Sequence, residues 1–392
     1  MIISQLLQPN IQEFINQNLD QPLSKIALQK NPFPQLDFKI ILNQIEAKAK
    51  ARFKLPIWYA CPTIIYPNKI SIEQTSSQVT AQYKASLVSG ESLIDLTGGF
   101  GVDDYYFSQK INQVVHCEID AELSTIVAHN FNELQVKNIK CINGDSKEIL
   151  ENLNQQFDTI YIDPSRRNDV NGKVFLLKDC LPNVPQLQEF YFKFTNKILI
   201  KTAPILDISA GLSALQNVKT IHIVAVENEV KELLWEIEKN YIATVIIKTI
   251  NFNKTQQEIF NFTLHSNSIS SYSFPKKYLY EPNSAIMKSG GFNEVGNYFT
   301  LQKLHQHSHL YTSNEKIEFP GRIFEITNTL EYSKKSMKEY LENTKCNVTT
   351  RNFPETVENI RKKFKIKEGG NDYCFFTTNI NDIKIVLICK KI

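Results

Sequence analysis

The sequence predicts a doubly wound α/β sheet over residues 76–266, with a mostly helical region before it and a small α+β domain after it. Short runs dense in Ile and Val recur at strand length, and segments with helical periodicity separate most of them. Buried parallel strands joined by crossover helices produce this alternation. The predicted strands are SLIDLTG, QVVHCEID, NIKCING, FDTIYIDPS, KILIKTAP and KTIHIVAV, and two of the predicted helices are AELSTIVAHNFNELQ and NEVKELLWEIEKN. Two final runs, TVIIKTINF and EIFNFTLHS, have only a short polar stretch between them, which predicts an antiparallel hairpin at one edge of the sheet.

The regions on either side of the sheet have their own patterns. In residues 1–75, apolar side chains around Ile41 and Ile45 recur at helical spacing, and Pro56, Pro62 and Pro67 then interrupt any helix. A Ser-rich stretch ending in Pro275 predicts a linker before a compact segment over 276–320. Residues 321–392 follow the order β-α-β-α-β-β, which predicts a small α+β domain.

Composition excludes several classes of protein. With 42% hydrophobic and 22% charged residues, the chain is neither disordered nor collagen-like. Residues 321–392 carry 14 Lys/Arg against 9 Asp/Glu, while the remainder carries 30 against 32, so the C-terminal end either faces a polyanion or is a solvated Lys-rich surface. Seven scattered cysteines without a Cys-x-x-Cys pair argue against disulfides and fit a reducing compartment. With no signal-peptide pattern and no apolar run of about 20 residues, we expect a cytoplasmic protein without a membrane partner.

Polar residues follow four successive predicted strands. Ligands of an open α/β sheet bind outside the carboxyl ends of its strands, so these positions are candidates for a binding site. The glycines after the first strand allow a tight turn and a close approach of the backbone. Glu118 lies 20 positions beyond Gly98, where an acidic residue can accept both ribose hydroxyls of a nucleoside. The candidate cofactor-binding residues are Asp95, Thr97, Gly98, Gly99, Gly101, Glu118, Asp120, Asp145 and Ser146.

Two nucleoside cofactors compete for this site. A dinucleotide fingerprint would read G-x-G-x-x-G, with phosphates on the helix N-terminus. Here Asp104 stands where the third Gly would be, and Asp103 precedes it. Two carboxylates there, with Asp95 beside them, would repel a pyrophosphate and tolerate a sulfonium and an ammonium. The electrostatics therefore favour S-adenosylmethionine over NAD.

The run LIDLTGGFGVDD, with Glu118, Asp145 and the turn at Asp163, resembles the class I S-adenosylmethionine-dependent methyltransferases. More narrowly, the sequence is similar to a bacterial group of these enzymes with a THUMP-like C-terminal domain. The motifs that carry this resemblance are SSQVTAQYKASL, DPSRR, YEPNSAIMKSG, HLYTS and VTTRNFP. The resemblance implies a Rossmann-like methyltransferase core, a small ferredoxin-like segment over 276–320 and a terminal module over 321–392 similar to RNA-binding THUMP domains.

The turn Asp163, Pro164, Ser165 and Arg166 provides the candidate catalytic residues. Methyltransferases of exocyclic amines often carry Asp/Asn-Pro-Pro-aromatic here, so that an acid accepts the amine's hydrogens and a ring stacks on the base. Asp163 and Pro164 match, whereas Ser165 and Arg166 depart from that pattern; a guanidinium can stack on a base or bind a phosphate. Covalent chemistry at a uridine carbon would need a cysteine, and Cys180 is nearby in sequence. Lys201 either contacts substrate or extends its charged end into solvent from the strand end.

Three further groups have open roles. Thr80, Tyr83 and Lys84 either close over the cofactor or belong to a packing helix. Arg361, Lys362, Lys363 and Lys365 contact RNA phosphates or complement a helix dipole. His305, His307 and His309 alternate and would share one side of a strand, but no carboxylate or cysteine cluster joins them, so we expect no metal site.

Four functions remain in competition. The first is a methyltransferase for a base in structured RNA, either rRNA or tRNA, whose C-terminal module binds that RNA. The others are a methyltransferase for a protein or small molecule, a catalytically inactive nucleoside-binding RNA adaptor, and an NAD-dependent oxidoreductase. The sequence does not indicate which nucleotide is modified or which oligomeric state is adopted.

Overall fold

A computed structural model describes residues 2–67, 72–166 and 176–392. It divides into two compact units, Met1–Lys219 with Leu234–Ile242, and Thr220–Leu233 with Ala243–Ile392. No helix of the described residues is long and apolar enough to cross a membrane.

The N-terminal part of the first unit is helical, as predicted. Its longest helix begins after Asp37, whose side chain accepts a hydrogen bond from the backbone of Lys39 and so satisfies one of the free N–H groups of the first turn. Ile41 and Ile45 are buried on one face of this helix. The helices are α1 (Ile2–Leu6), α2 (Pro9–Gln17), α3 (Leu23–Ala27), α4 (Phe38–Lys54), α5 (Pro56–Ala60) and α6 (Gln78–Leu87).

The predicted α/β sheet follows. Its strands and helices in chain order are β1 (Ser92–Asp95), α7 (Val102–Phe107), β2 (Gln113–Glu118), α8 (Ala121–Glu133), β3 (Ile139–Asn143), α9 (Ser146–Leu153), β4 (Thr159–Ile162), β5 (Ser165–Arg166), β6 (Cys180–Leu181), α10 (Val184–Tyr191), β7 (Lys197–Thr202) and α11 (Ile208–Ala214). Five parallel strands pair in the order β3-β2-β1-β4-β7. Because the chain reverses direction across the sheet between β1 and β4, a ligand crevice is expected at their carboxyl ends.

The predicted edge hairpin is confirmed in the second unit. The strands that follow are β8 (Val218–Val226), β9 (Glu229–Glu238), β10 (Ile246–Phe252) and β11 (Gln257–Thr263). β10 pairs parallel with β8 and antiparallel with β11.

The prediction of a helix for NEVKELLWEIEKN is wrong, because these residues form β9. Glu227 and Asn228 both adopt positive φ, the geometry of a two-residue hairpin turn, so the chain reverses after β8 instead of starting a helix. Leu233, Leu234 and Trp235 are consecutive and all buried. A strand covered on both faces shows no polar–apolar alternation, which is why the sequence pattern resembled a helix.

The C-terminal part of the second unit forms a mixed sheet in the order β13-β14-β12-β15-β18-β17-β16. Its elements are β12 (Tyr278–Pro282), α12 (Ser284–Ser289), α13 (Phe292–Tyr298), β13 (Gln302–Lys303), β14 (Tyr311–Ser313), β15 (Gly321–Glu331), α14 (Lys334–Tyr340), β16 (Asn347–Thr350), α15 (Val357–Phe364), β17 (Asp372–Thr378) and β18 (Lys384–Lys391). From β15 onward the predicted order β-α-β-α-β-β is confirmed. The predicted strand at His305, His307 and His309 is wrong, because these residues lie between β13 and β14 outside any strand.

Candidate functional site

A cavity of about 250 Å³ opens at the carboxyl ends of β1, β4 and β7. It therefore occupies the position where the strand order reverses. Its described lining residues are Gln74, Thr75, Ser76, Asp95, Thr97, Gly98, Gly99, Phe100, Gly101, Val102, Asp103, Tyr161, Asp163, Ser165 and Lys201. The glycine turn and the Asp163 turn, which the sequence assigned to cofactor and catalysis, thus line one cavity.

The glycine turn after β1 is held from below. A Cβ built on Gly98 would lie 2.1 Å from Cε1 of His116, so only glycine fits above this imidazole ring. Gly101, the residue just before α7, has φ +74°, a conformation that glycine adopts without strain. Glu118 Oε2 accepts a hydrogen bond from Gly99 N at 3.1 Å, which ties the tip of β2 to the turn.

Asp95, Asp104 and His116 form a buried chain of polar side chains beneath this turn. His116 Nδ1 lies 2.6 Å from Asp104 Oδ2, and the carboxyl groups of Asp95 and Asp104 are close enough to influence each other's pKa. Burial, and after it the neighbouring carboxylates, raises the pKa of both aspartates well above the usual value. Burial likewise lowers the pKa of His116. A raised pKa favours the protonated form of a carboxyl group, so negative charge on these two aspartates is disfavoured.

Asp103 is held by groups from three other parts of the first unit. Its Oδ2 accepts hydrogen bonds from Ser76 Oγ at 2.9 Å and Tyr161 Oη at 2.8 Å, and Lys84 Nζ lies 3.3 Å from Oδ1. Burial alone would raise the pKa of Asp103, but Lys84, Lys201 and these hydrogen bonds outweigh it and lower the pKa. Asp103 is therefore the ionised carboxylate of the cavity's glycine side.

Asp163 lies opposite, directly after β4. Its backbone N–H donates to Thr97 Oγ1 at 2.7 Å, and Thr97 in turn donates to Asp95 Oδ1 at 3.0 Å. The Asp163 carboxylate forms an ion pair with Lys201 at the end of β7. Lys201 thus contacts a candidate catalytic residue in the cavity, which the sequence alone left open.

The prediction that the carboxylates of Asp95, Asp103 and Asp104 repel a pyrophosphate needs correction. Asp104 does not face the cavity, because its side chain is fully buried against His116. Asp103 and Asp163 face it, but each is paired with a lysine. The site therefore presents paired charges of both signs, and repulsion by several unpaired carboxylates does not distinguish the two cofactors.

The other predicted cofactor residues lie along the same edge of the sheet. Asp120 caps α8 by accepting from the backbone of Glu122 and Leu123, and Asp145 caps α9 in the same way from Lys147 and Glu148. Ser146 is the first residue of α9. The four residues at these two strand ends, Glu118, Asp120, Asp145 and Ser146, lie outside the lining of the cavity.

The structure does not place the predicted lid residues over the cavity. Thr80 belongs to a capping box with Ser77, and Lys84 is fully buried against Asp103. None of Thr80, Tyr83 and Lys84 lines the cavity. They belong to a packed helix, α6, which supports the site through Asp103.

Among the remaining candidates, Ser165 is part of the cavity lining. Pro164 is buried, Ser165 is exposed, and the backbone of Arg166 pairs with Cys180 across β5 and β6; the side chain of Arg166 lies outside the described residues. Cys180 does not line the cavity. His305 bonds to Asp382 and Asn352, His309 stacks on Phe292, and the described residues contain no cluster suited to a metal ion.

The four basic candidates in the last turn of α15 and just after it divide into two pairs. Arg361 is ion-paired with Glu368 at 3.1 Å, and Lys363 with Glu355 at 3.1 Å. Lys362 and Lys365 are exposed. The sequence missed Ser76, Tyr161 and His116 as parts of the site, because a single polar residue in an apolar strand or at a helix start gives no signal of its partner.

Comparison with known proteins agrees with the fold. Residues 278–320 match a family model described as a ferredoxin-like domain, and residues 321–391 match one described as THUMP domain-like. The crystal structure of a "putative methyltransferase" from Porphyromonas gingivalis W83 is 31% identical, covers 97% of both chains and superposes with a TM-score of 0.86. No curated protein sequence matches the chain.

Two more distant structures have the words rRNA methylase or TrmK in their names. The rRNA methylase from Streptococcus thermophilus is 15% identical, covers 41% of this chain and 94% of its own, and has a TM-score of 0.30. TrmK of M. capricolum, bound to S-adenosyl-homocysteine, is 16% identical, covers 46% and 71%, and has a TM-score of 0.33. Such low scores support no conclusion about this chain. The match to the P. gingivalis protein, in contrast, extends over nearly the whole length of both chains. The chain therefore belongs to the bacterial group of class I methyltransferases with a THUMP-like C-terminal domain.

Proposed function

We propose that this methyltransferase takes its methyl group from S-adenosylmethionine and transfers it to a base in structured RNA, rRNA or tRNA. The observation that carries the proposal is that the glycine turn after β1 and the carboxylate of Asp163 line one cavity at the reversal of strand order. A cofactor lying on the turn would therefore direct its reactive end toward Asp163.

The residues of the site fit this cofactor. Its amino acid end carries an ammonium and a carboxylate, and the cavity offers the ionised Asp103 and the ammonium of Lys201. At the tip of β2, Glu118 accepts one backbone hydrogen bond on each oxygen, from Asp120 and Gly99, and each oxygen retains a lone pair for a ribose hydroxyl. The bound cofactor would supply an electrophilic methyl group on a sulfonium, which needs no metal.

Asp163 would orient and accept protons from the target amine. Its backbone is fixed by Thr97, and its carboxylate has acceptor capacity beyond the bond from Lys201. Holding the amine in line with the methyl group, at about 3 Å, provides most of the acceleration in such a transfer. Thr97 bonds to both Asp95 and Asp163, and thereby keeps the two turns in register.

The case for RNA rests on the C-terminal module. Its THUMP-like match and its charge, 14 Lys/Arg against 9 Asp/Glu, fit a polyanionic substrate. Lys362 and Lys365 are exposed and suited to phosphates, whereas Arg361 and Lys363 already have acidic partners.

The test is incubation of the protein with a tritiated methyl donor and fractionated cellular RNA, followed by mass spectrometry of the nucleosides. The proposal expects one methylated nucleoside in the product. Label that enters protein or small molecules while RNA stays unlabelled would replace RNA by that substrate. Binding of RNA and cofactor without any transfer would instead identify an inactive adaptor, and preferential binding of NADH would identify an oxidoreductase.

A further inference from the structure

The second unit contains a larger cavity, of about 720 Å³, whose lining shares no residue with that of the candidate methyl-transfer site. It is bounded by the turns after β8 and β10, the start of β11, the N-terminus of α12, the end of α13 and the start of β15. Three kinds of side chain dominate its lining: amides, carboxylates and aromatic rings. They include Asn251, Asn283, Glu258, Tyr298 and Phe299.

One carboxylate in this lining is held in a fixed position. Glu258 Oε2 accepts a hydrogen bond from Asn251 Nδ2 at 2.9 Å and another from Asn283 Nδ2 at 2.8 Å. Both asparagines are buried, and their own carbonyl oxygens accept from the backbone of Asn228 and Ile286. Glu258 Oε1 has no hydrogen-bond partner among the residues that the structure describes. It is a preorganised acceptor on a cavity wall, suited to an N–H donor of a ligand.

An aromatic ring is available at the same cavity. Tyr298 is 71% exposed, although one edge of it packs against Phe260 and Phe299. A large aromatic side chain that is exposed at a cavity offers a ring face for stacking a flat ligand.

A cation completes the lining. Glu281 is buried and bonds to both Arg322 and Arg351, at 2.6 Å from Arg322 Nε and 2.8 Å from Arg351. Two guanidinium groups around one carboxylate leave one positive charge in excess, and Arg322 is the member that lines the cavity. This arrangement joins two motifs that the methyl-transfer site leaves unused, YEPNSAIMKSG and VTTRNFP.

We propose that the cavity beside Glu258, Tyr298 and Arg322 binds an unpaired nucleotide of an RNA strand. The ring of the base stacks on Tyr298, an exocyclic amine donates to Glu258 Oε1, and the phosphate lies near Arg322. Amides and carboxylates outnumber lysines and arginines in the lining, which favours contact with a base edge over contact with backbone phosphates alone. Adenine, cytosine and guanine each have an exocyclic amine, whereas uracil has none: its N3–H donor is flanked by two carbonyl oxygens that a carboxylate would repel. The proposal rests on the proposed function only for the choice of RNA as the source of the nucleotide.

Fluorescence anisotropy with the full chain and short labelled oligonucleotides tests the proposal. Tyr298→Ala should raise the Kd for oligoadenylate by about five-fold or more, the effect expected from the loss of one base–aromatic stack. Tyr272→Ala removes an exposed aromatic residue of the same unit that does not line the cavity, and it should leave the Kd unchanged. Equal Kd values for the wild type and Tyr298→Ala would overturn the proposal.

A second variant tests the base contact. The wild type should prefer oligoadenylate to oligouridylate, and Glu258→Gln should reduce that preference, while Glu339→Gln, an exposed acid elsewhere in the unit, should retain it. A preference unchanged in Glu258→Gln contradicts the assigned role of Glu258, provided that thermal unfolding shows the variant to be folded.

Parallel methylation assays separate this proposal from the proposed function. If the wild type and Tyr298→Ala methylate RNA with the same KM, the cavity does not take part in substrate binding, and the proposed enzyme activity is unaffected. If oligonucleotide binding depends on Tyr298 but no RNA is methylated, the result supports the nucleotide site and contradicts the proposed function.

Discussion

His116 Nδ1 lies 2.6 Å from Asp104 Oδ2, and neither side chain is exposed to solvent. The pair lies directly beneath Gly98, whose missing side chain leaves room for the imidazole. The cavity at the ends of β1, β4 and β7 is therefore supported by a buried polar pair that contacts no solvent, and changes to that pair should alter the stability of the protein.

Asp104→Ala should destabilise the protein far more than Asp104→Asn. Alanine leaves a cavity and removes the hydrogen-bond partner of His116, at a cost of about 2–4 kcal/mol in the free energy of unfolding. Asparagine keeps the shape and one acceptor, so its effect should be about 1 kcal/mol or less. Urea denaturation of both variants measures the difference, and similar values would show that the pair contributes little to folding.

Gly98→Ala should disturb both folding and cofactor binding. The added Cβ would meet the His116 ring at 2.1 Å, and this overpacking should cost about 1–3 kcal/mol. Calorimetric unfolding and titration with S-adenosyl-homocysteine measure the two effects. The double variant Gly98→Ala/His116→Ala is the control for the clash. Because the imidazole is absent, this variant should be about as stable as His116→Ala alone. Unchanged stability and affinity in Gly98→Ala would be inconsistent with the packing of this turn.

Asp163→Asn should lower kcat without weakening the binding of the cofactor. If Asp163 accepts protons from the target amine, its loss as a base should reduce kcat on the order of 100-fold. The Kd for S-adenosyl-homocysteine should change little, because the glycine turn and Glu118 remain. Glu151→Gln, on the exposed side of α9, is the matched control. A variant with full kcat would exclude Asp163 from the reaction.

Replacing His309 should make stability less sensitive to acid. Burial, followed by Lys303, His307 and Arg351, lowers the pKa of His309 from 6.5 to about 4. Between these values the unfolded chain binds a proton that the folded chain does not, so stability falls as the pH falls from 6.5 to 4. Urea midpoints across this range should therefore decline less steeply for His309→Gln than for the wild type. The exposed His265→Gln should follow the wild type, and a slope shared by all three proteins would argue against this assignment.

The double variant Lys362→Gln/Lys365→Gln should weaken RNA binding in a salt-dependent way. Each lost phosphate contact lowers the slope of log K against log salt by about 1, so the double change should lower it by up to about 2. Lys25→Gln/Lys30→Gln removes two exposed charges from the N-terminal helical region and should leave the slope intact. Filter binding at several salt concentrations compares the two double variants. Equal slopes would show that Lys362 and Lys365 do not contact the RNA.

The local pattern of the sequence was sufficient to predict most of the sheet and the edge at which its cavity opens. Runs such as SLIDLTG and FDTIYIDPS are strand-sized and end in polar residues, and parallel strands bring those ends to one edge whatever the rest of the chain does. The strand β9 was misread because Leu233, Leu234 and Trp235 are covered on both faces, so the period-2 signal that marks a half-buried strand is absent.

By itself, the sequence determined the α/β architecture, the glycine turn and the Asp163 turn, because turn chemistry and hydrophobic period are local properties. Tertiary structure alone decided which charges the cavity presents. Asp103 and Asp104 are neighbours in sequence, yet one faces the cavity beside Lys84 and the other is buried against His116. The direction of a side chain, the partner it meets and the solvent it loses depend on residues distant along the chain, and these set its charge.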